Sequence, residues 1–221
     1  MKNILSIIAK TPLFKGLPEN QLKEIKRITV QRKYNKGETI FFEGDEGNGF
    51  YIVAQGQVKV FKLSLDGKEH ILHILGPGEP FGEVPVFSGR PFPANAMALV
   101  KSRLLFLPRA AFIKLITANP SLSLNMFAIL SMRLREFTVQ IENLSLKEVP
   151  ERVASYLIYQ AEEQGHYEFV DLHISKKQLA SMLGATPETL SRMFAKMSDQ
   201  GLIEVEGRRI RILDRQRLTT V

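Results

Sequence analysis

The run PETLSRMFAK, from Pro187 to Lys196, mixes side chains that can read a base pair with side chains that belong in a protein core. Leu190, Met193, Phe194 and Met197 recur at helical intervals and fall on one face. The opposite face then presents Glu188, Ser191, Arg192, Ala195 and Lys196. An arginine reaches the O6 and N7 of guanine with two hydrogen bonds, a glutamate accepts from the N4 of cytosine, and a serine bonds a base or a phosphate. Near a helix N-terminus such a set suits the major groove. Lys176, Lys177, Arg208, Arg209 and Arg211 are placed for phosphates, and each is equally consistent with a solvated surface charge.

Local signals supply the elements that would hold these residues. Ser175 with Gln178 three residues on makes a capping box for SKKQLASML, which Gly184 ends. Thr186 and Pro187 cap and open the second helix, which Gly201 ends. Two short helices joined by Gly184 to Thr186 form a helix-turn-helix, a pair that also occurs as plain packing. LIEVEGRRIRIL then alternates around Glu206-Gly207 and reads as a β-hairpin wing. Upstream, Pro150 starts a helix to about Gln164.

The stretch Pro120 to Leu146 is the longest element. Leu130, Leu134, Phe137, Ile141 and Leu144 are spaced four, three, four and three apart, the seam of a helix that meets a partner helix. At about 1.5 Å per residue the helix is roughly 40 Å long, enough to pair two subunits and join two unlike domains. A core helix of one domain has the same periodicity.

Residues 1 to 30 read as helices broken at Thr11-Pro12 and Gly16-Leu17-Pro18. From Val30 to Phe106 the period shortens. ETIFFEG, GFYIVAQG, QVKVFKL, EHILHIL and SRLLFL read as strands, with Asp66-Gly67 as a tight-hairpin signal. Many short strands imply a roll closed on itself, and the turn GPGEPFGE lets backbone approach a ligand. The expected fold is therefore α+β: an N-terminal β-roll of jelly-roll type at 1–118 that senses an effector, a dimerisation helix and hinge at 119–148, and a C-terminal winged helix-turn-helix at 149–221.

Composition sets further limits. With no cysteine, disulfides, thiolate zinc sites and cysteine-ligated iron-sulfur clusters are excluded. No apolar run approaches a membrane span, and the N-terminus lacks a secretory pattern, so a cytoplasmic location is expected. Of the net charge of +7, none lies in residues 149–221, where 10 Lys or Arg meet 10 Asp or Glu. DNA binding there must rest on where particular side chains sit. His70 and His73 are an odd number apart on one strand and are expected on opposite faces, unable to share a metal. That argues against a metal-dependent cupin-like enzyme built on His70, His73 and Glu83. His166 and His173 read as surface or hinge residues. No catalytic triad, phosphate-binding loop or carboxylate pair stands out, so no enzyme is expected.

The roll, PFGEVPVF, NLSLKEVPERVASYL and ISKKQLASMLGATPETLSRMFAKMSDQGLIEVEGRRIRI stand in the order and spacing of one group. Over nearly its whole length the chain resembles the bacterial transcription regulators of the cyclic-AMP receptor protein and fumarate-nitrate reduction regulator (Crp/Fnr) superfamily. The resemblance implies a homodimer on a two-fold symmetric DNA site, in contact with RNA polymerase, for which the loop Ser88 to Phe92 is a candidate. It makes Glu188, Ser191 and Arg192 base readers of TTGAT-like half-sites, with Lys176, Lys177, Thr186, Pro187, Lys196, Arg208 and Arg209 on phosphates or flanks. It places the effector pocket at Gly82, Glu83, Val84, Pro93, Ala94, Phe137 and Thr138.

The departures bear on the effector. Where the cyclic-AMP branch has an Arg-Ser pair for the phosphate, this chain has Pro93 and Ala94, and Phe137 and Thr138 replace a Thr-Ser pair. Cyclic AMP is thus not expected. The tail is similar to the dissimilatory nitrate respiration regulators and the regulators of hybrid-cluster proteins, which implies nitric oxide or nitrosative stress and haem. His70 or His73 would then be the axial ligand, with Met97 or another subunit opposite. An unidentified organic ligand is the alternative.

Overall fold

The computed structural model describes residues 4–220. They form two compact units, residues 4–134 and 135–220, and the division falls inside one long helix.

In the first unit, helices α1 (Ile4–Lys10) and α2 (Glu19–Ile28), separated by a 3-10 turn at Pro12–Phe14, precede the strands. These are β1 (Val30–Tyr34), β2 (Thr39–Phe41), β3 (Gly49–Gln55), β4 (Val58–Leu63), β5 (Glu69–Leu75) and β6 (Pro80–Phe81), then, after helix α3 (Val84–Ser88), β7 (Asn95–Ala98) and β8 (Ser102–Pro108). Helix α4 (Arg109–Ala118) leads into α5 (Pro120–Leu146). The strands make two antiparallel four-stranded sheets, β1-β8-β3-β6 and β2-β7-β4-β5.

Alternation explains why GFYIVAQ is buried almost throughout. Phe50, Ile52 and Ala54 join a core with α1, α2, α4 and the start of α5. Tyr51 and Val53 join a second core, where both sheets contribute: Phe41, Val58, Leu75 and Ala96 from one, Phe81, Leu104 and Phe106 from the other. Each fully buried aromatic there contributes about 1.5–3 kcal/mol. β1, β6, β7 and α3 are not among the runs expected from the sequence. β6 and α3 are too short for a period to show.

Two details differ from expectation. The hairpin between β4 and β5 has a five-residue connection, Ser64 to Lys68, in which the Gly67 amide donates to the Ser64 carbonyl at 2.9 Å. In β5 the register shifts: Val60 faces His73 and Phe61 faces Ile71, so Leu72 is an extra residue. That bulge restores the alternation, and His70, opposite Lys62, lies on the same face as His73, opposite Val60. The odd spacing that predicts opposite faces holds only for an unbroken strand.

The second unit contains the end of α5, helix α6 (Val149–Glu163), strand β9 (Phe169–Asp171), helices α7 (Lys176–Met182) and α8 (Pro187–Asp199), strands β10 (Ile203–Glu206) and β11 (Arg209–Ile212), and a final short helix α9 (Arg215–Leu218). The sheet order is β10-β11-β9. Leu157, Leu179, Leu190, Ile210 and Leu218 are fully buried in its core. α6 opens with a reciprocal capping box between Glu148 and Glu151, a glutamate version of the Ser/Thr signature.

Candidate functional site

The turn between α7 and α8 sets the reading face. The Ser175 hydroxyl oxygen accepts from the Gln178 amide at 3.2 Å, and the Gln178 side chain accepts from the Ser175 amide at 2.7 Å. Gly184 takes φ +63°, and the Ala185 amide donates to the Ala180 carbonyl at 2.9 Å, which ends α7. A Cβ on Gly184 would lie 2.9 Å from Leu144 Cδ2, so the end of α5 abuts this turn. Thr186 caps α8, its hydroxyl oxygen accepting from the Thr189 amide at 3.2 Å.

On α8, Leu190, Phe194 and Met197 are buried and Met193 is half-buried. Glu188, Ser191, Arg192, Ala195 and Lys196 are placed as the pattern predicts, away from that core. Hydrogen bonds from its own backbone amide and from the Thr186 hydroxyl hold the Glu188 carboxyl below its usual range, so it stays an acceptor. Arg192 Nη2 donates to Thr189 Oγ1 at 3.3 Å. Thr189 is a residue the sequence pattern passes over.

The surrounding cations differ among themselves. Lys176, Lys177 and Arg208 flank the reading face on α7 and the wing. Lys176 Nζ stands 5.5 Å from the Phe194 ring centre. Arg209 is committed: its Nε and Nη2 donate to the two oxygens of Asp171 at 2.9 and 2.8 Å, and its guanidinium lies 4.4 Å from the Phe169 ring centre. That pairing holds the Asp171 carboxyl below its ordinary value. His166 stacks on Phe169 at 4.2 Å, and both His166 and His173 are exposed.

In the first unit, Gly82 takes φ +75°, and a Cβ there would lie 3.1 Å from Phe92 and 3.2 Å from Phe41. Those two rings are stacked at 3.7 Å. Glu83 is 8% exposed, and its Oε1 accepts from Arg133 Nη1 at 2.6 Å. Arg133 also donates to the Pro80 carbonyl. Ala94 is buried, whereas Pro93 and Val84 are exposed, and the Pro93 carbonyl accepts from Lys62 at 3.1 Å. Of the candidate polymerase loop, Ser88 to Pro91 are exposed, but Phe92 is buried against Phe41. Desolvation, with the Arg133 charge nearby, pushes the His73 imidazole down from 6.5 to about 4. Among the described residues no three His, Asp or Glu side chains are arranged to hold a metal, and Glu83 is tied to Arg133.

Phe137 and Thr138 lie on the part of α5 that belongs to the second unit, half-buried and exposed respectively. Along α5, Leu124, Phe127, Leu134 and Ile141 are between 63% and 69% exposed, and with Ser131 and Thr138 they make a run alternating by three and four. Leu130 packs against the core of the first unit, and Leu144 lies at Gly184. The exposed stripe thus shares Leu134 and Ile141 with the expected seam and is rotated from the rest.

Comparison with known proteins covers both units. Residues 31–119 match the cyclic nucleotide-binding domain, and residues 151–221 the Crp-like helix-turn-helix domain. The cyclic AMP receptor protein of Thermus thermophilus is 34% identical over 195 residues, 88% of this chain and 89% of that one. The structure of FixK2 from Bradyrhizobium japonicum aligns with a TM-score of 0.74 at 27% identity, covering 87% of this chain and 96% of that one. DNR from Pseudomonas aeruginosa aligns with a TM-score of 0.52 at 32% identity, covering 100% and 98%.

Proposed function

Because this chain belongs to the Crp/Fnr family of DNA-binding transcription regulators, we propose that it reads a two-fold symmetric site of TTGAT-like half-sites as a homodimer. In this reading the labour is divided along the chain: 1–118 senses, 119–148 pairs and hinges, 149–221 binds DNA. The observation that carries the reading is the outer face of α8, where Glu188, Ser191 and Arg192 stand beyond a capped N-terminus. Glu188 accepts from cytosine, Arg192 donates to guanine, and Ser191 takes a base or phosphate. Lys176, Lys177, Thr186, Lys196 and Arg208 set the register on the backbone. The apolar stripe of α5 pairs two copies, spacing the half-sites by one helical turn, roughly 34 Å, and Ser88 to Pro91 are offered to RNA polymerase.

The roll responds to a small molecule other than a cyclic nucleotide. A cyclic phosphate needs a cation and donors, and the chain has Pro93 and Ala94 in those places. Phe41 and Phe92 fill the space over Gly82, and Arg133 holds Glu83. The names of several relatives, such as the Thermus thermophilus protein, refer to cyclic AMP. A different ligand is the reading for this chain. Haem does not fit well either. The interior beside Gly82 is packed with aromatic rings, and the half-buried imidazole of His73 has a guanidinium near it.

The test is fluorescence anisotropy with a palindromic duplex and a random one, with and without cyclic AMP. Arg192→Ala is expected to cost about 1–3 kcal/mol on the palindrome and little on random DNA, and cyclic AMP to change neither. Equal losses on both duplexes would make Arg192 a phosphate contact. A large gain with cyclic AMP would return the roll to nucleotide sensing.

A further inference from the structure

On one face of α8 the two charged base readers stand four residues apart, Glu188 first and Arg192 second, the order in which an acid and a base attract each other along a helix. Left alone, they would close on each other and blunt both readers. Among the described residues they form no ion pair within 4.0 Å. Arg192 is turned to Thr189 instead, with Nη2 3.3 Å from Oγ1.

Thr189 is well suited to hold that position. Helical side chains lean toward the N-terminus, so the stem of Arg192 runs back over the residue three before it. Threonine is branched at Cβ and has few rotamers in a helix. Its oxygen is fixed a second time, because Thr189 Oγ1 lies 3.1 Å from Thr186 Oγ1, which also accepts from the Thr189 amide at 3.2 Å. The cap of the helix and the direction of the arginine thus form one connected set. Arg192 Nη2 has a second N–H, which with Nη1 leaves a donor pair for a base, and the Glu188 carboxylate has further lone pairs for another.

We infer that Thr189 is a positioning residue for base recognition, orienting Arg192 and keeping it off Glu188 before DNA arrives. The inference rests on the reading of α8 given above. An arginine fixed in advance loses less freedom on binding, so the benefit shows in the affinity for the specific site.

The full-length chain is tested as four proteins: wild type, Thr189→Val, Arg192→Ala and the double variant, on the palindromic and the random duplex over a range of salt. Valine keeps the branched shape and helix propensity and removes the acceptor. Thr189→Val is expected to weaken binding to the palindrome about threefold to tenfold. Random-duplex affinity, salt slope and melting temperature stay as in wild type. Thr189→Ser should recover most of the loss. In the Arg192→Ala background the valine should add nothing, because Thr189 acts through the arginine.

A loss shared equally by both duplexes, at an unchanged salt slope, would make Thr189 a phosphate contact and overturn the inference. So would additive losses in the double variant, or no loss at all. Failure of wild type to prefer the palindrome is a separate outcome, and it would remove the underlying reading of α8.

Discussion

His73 shows how a single side chain ties stability to pH. Its desolvated imidazole stays neutral down to about 4, whereas in the unfolded chain it takes a proton near 6.5. Between those values the unfolded state binds more protons, so the stability is complete above the upper value and is lost as pH falls toward the lower one. The loss amounts to on the order of 3 kcal/mol. Chemical denaturation of wild type and His73→Leu between pH 7 and pH 4 should show a steeper fall in wild type. Parallel curves would mean that the imidazole is protonated in the fold. The apolar face of α8 and its exposed polar face are legible at this scale, because helical period alone separates Leu190 from Arg192. Arg133 on Glu83, Thr189 under Arg192 and Asp171 on Arg209 are not, since each depends on a rotamer or on a cross-strand register absent from the sequence.

At the scale of elements, capping chemistry carries most of the information. Ser175 with Gln178 and Thr186 with Pro187 mark both helix starts, and Gly184 the turn, because each answers a local need of unpaired backbone groups. Gly184 has two reasons to be glycine: its φ of +63° and the Leu144 methyl 2.9 Å from any Cβ. Gly184→Ala is expected to cost about 1–2 kcal/mol from the left-handed backbone, and to move the start of α8 relative to α7. Weaker binding to palindromic and random duplexes alike, with a lower melting temperature, would show it. An unchanged melting temperature would mean that the turn relaxes freely. The sequence is least informative where an element is short or irregular. Neither β6, two residues long, nor the extra Leu72 in β5 leaves a periodic trace, and the second misdirects any reading of His70 and His73 by parity.

Across the whole molecule, the order of roll, long helix and helix-turn-helix is readable because each region has a different period and different punctuation. The face of the long helix is only half readable. Periodicity offers both the row through Leu130 and Phe137 and the row of Leu124, Phe127, Leu134 and Ile141, and only packing of Leu130 into its own unit decides which stays exposed. Replacing Leu134 and Ile141 together by aspartate should give a monomer by sedimentation, with palindrome binding reduced to that of a single half-site. A dimer that survives would place pairing on another surface. The exposed stripe also has a consequence for dosage. If pairing precedes tight DNA binding, occupancy of a palindrome by sparse chains follows the square of their number, so doubling the supply raises it about fourfold. The cell can then tune this regulator's output through its abundance alone, whatever the roll senses.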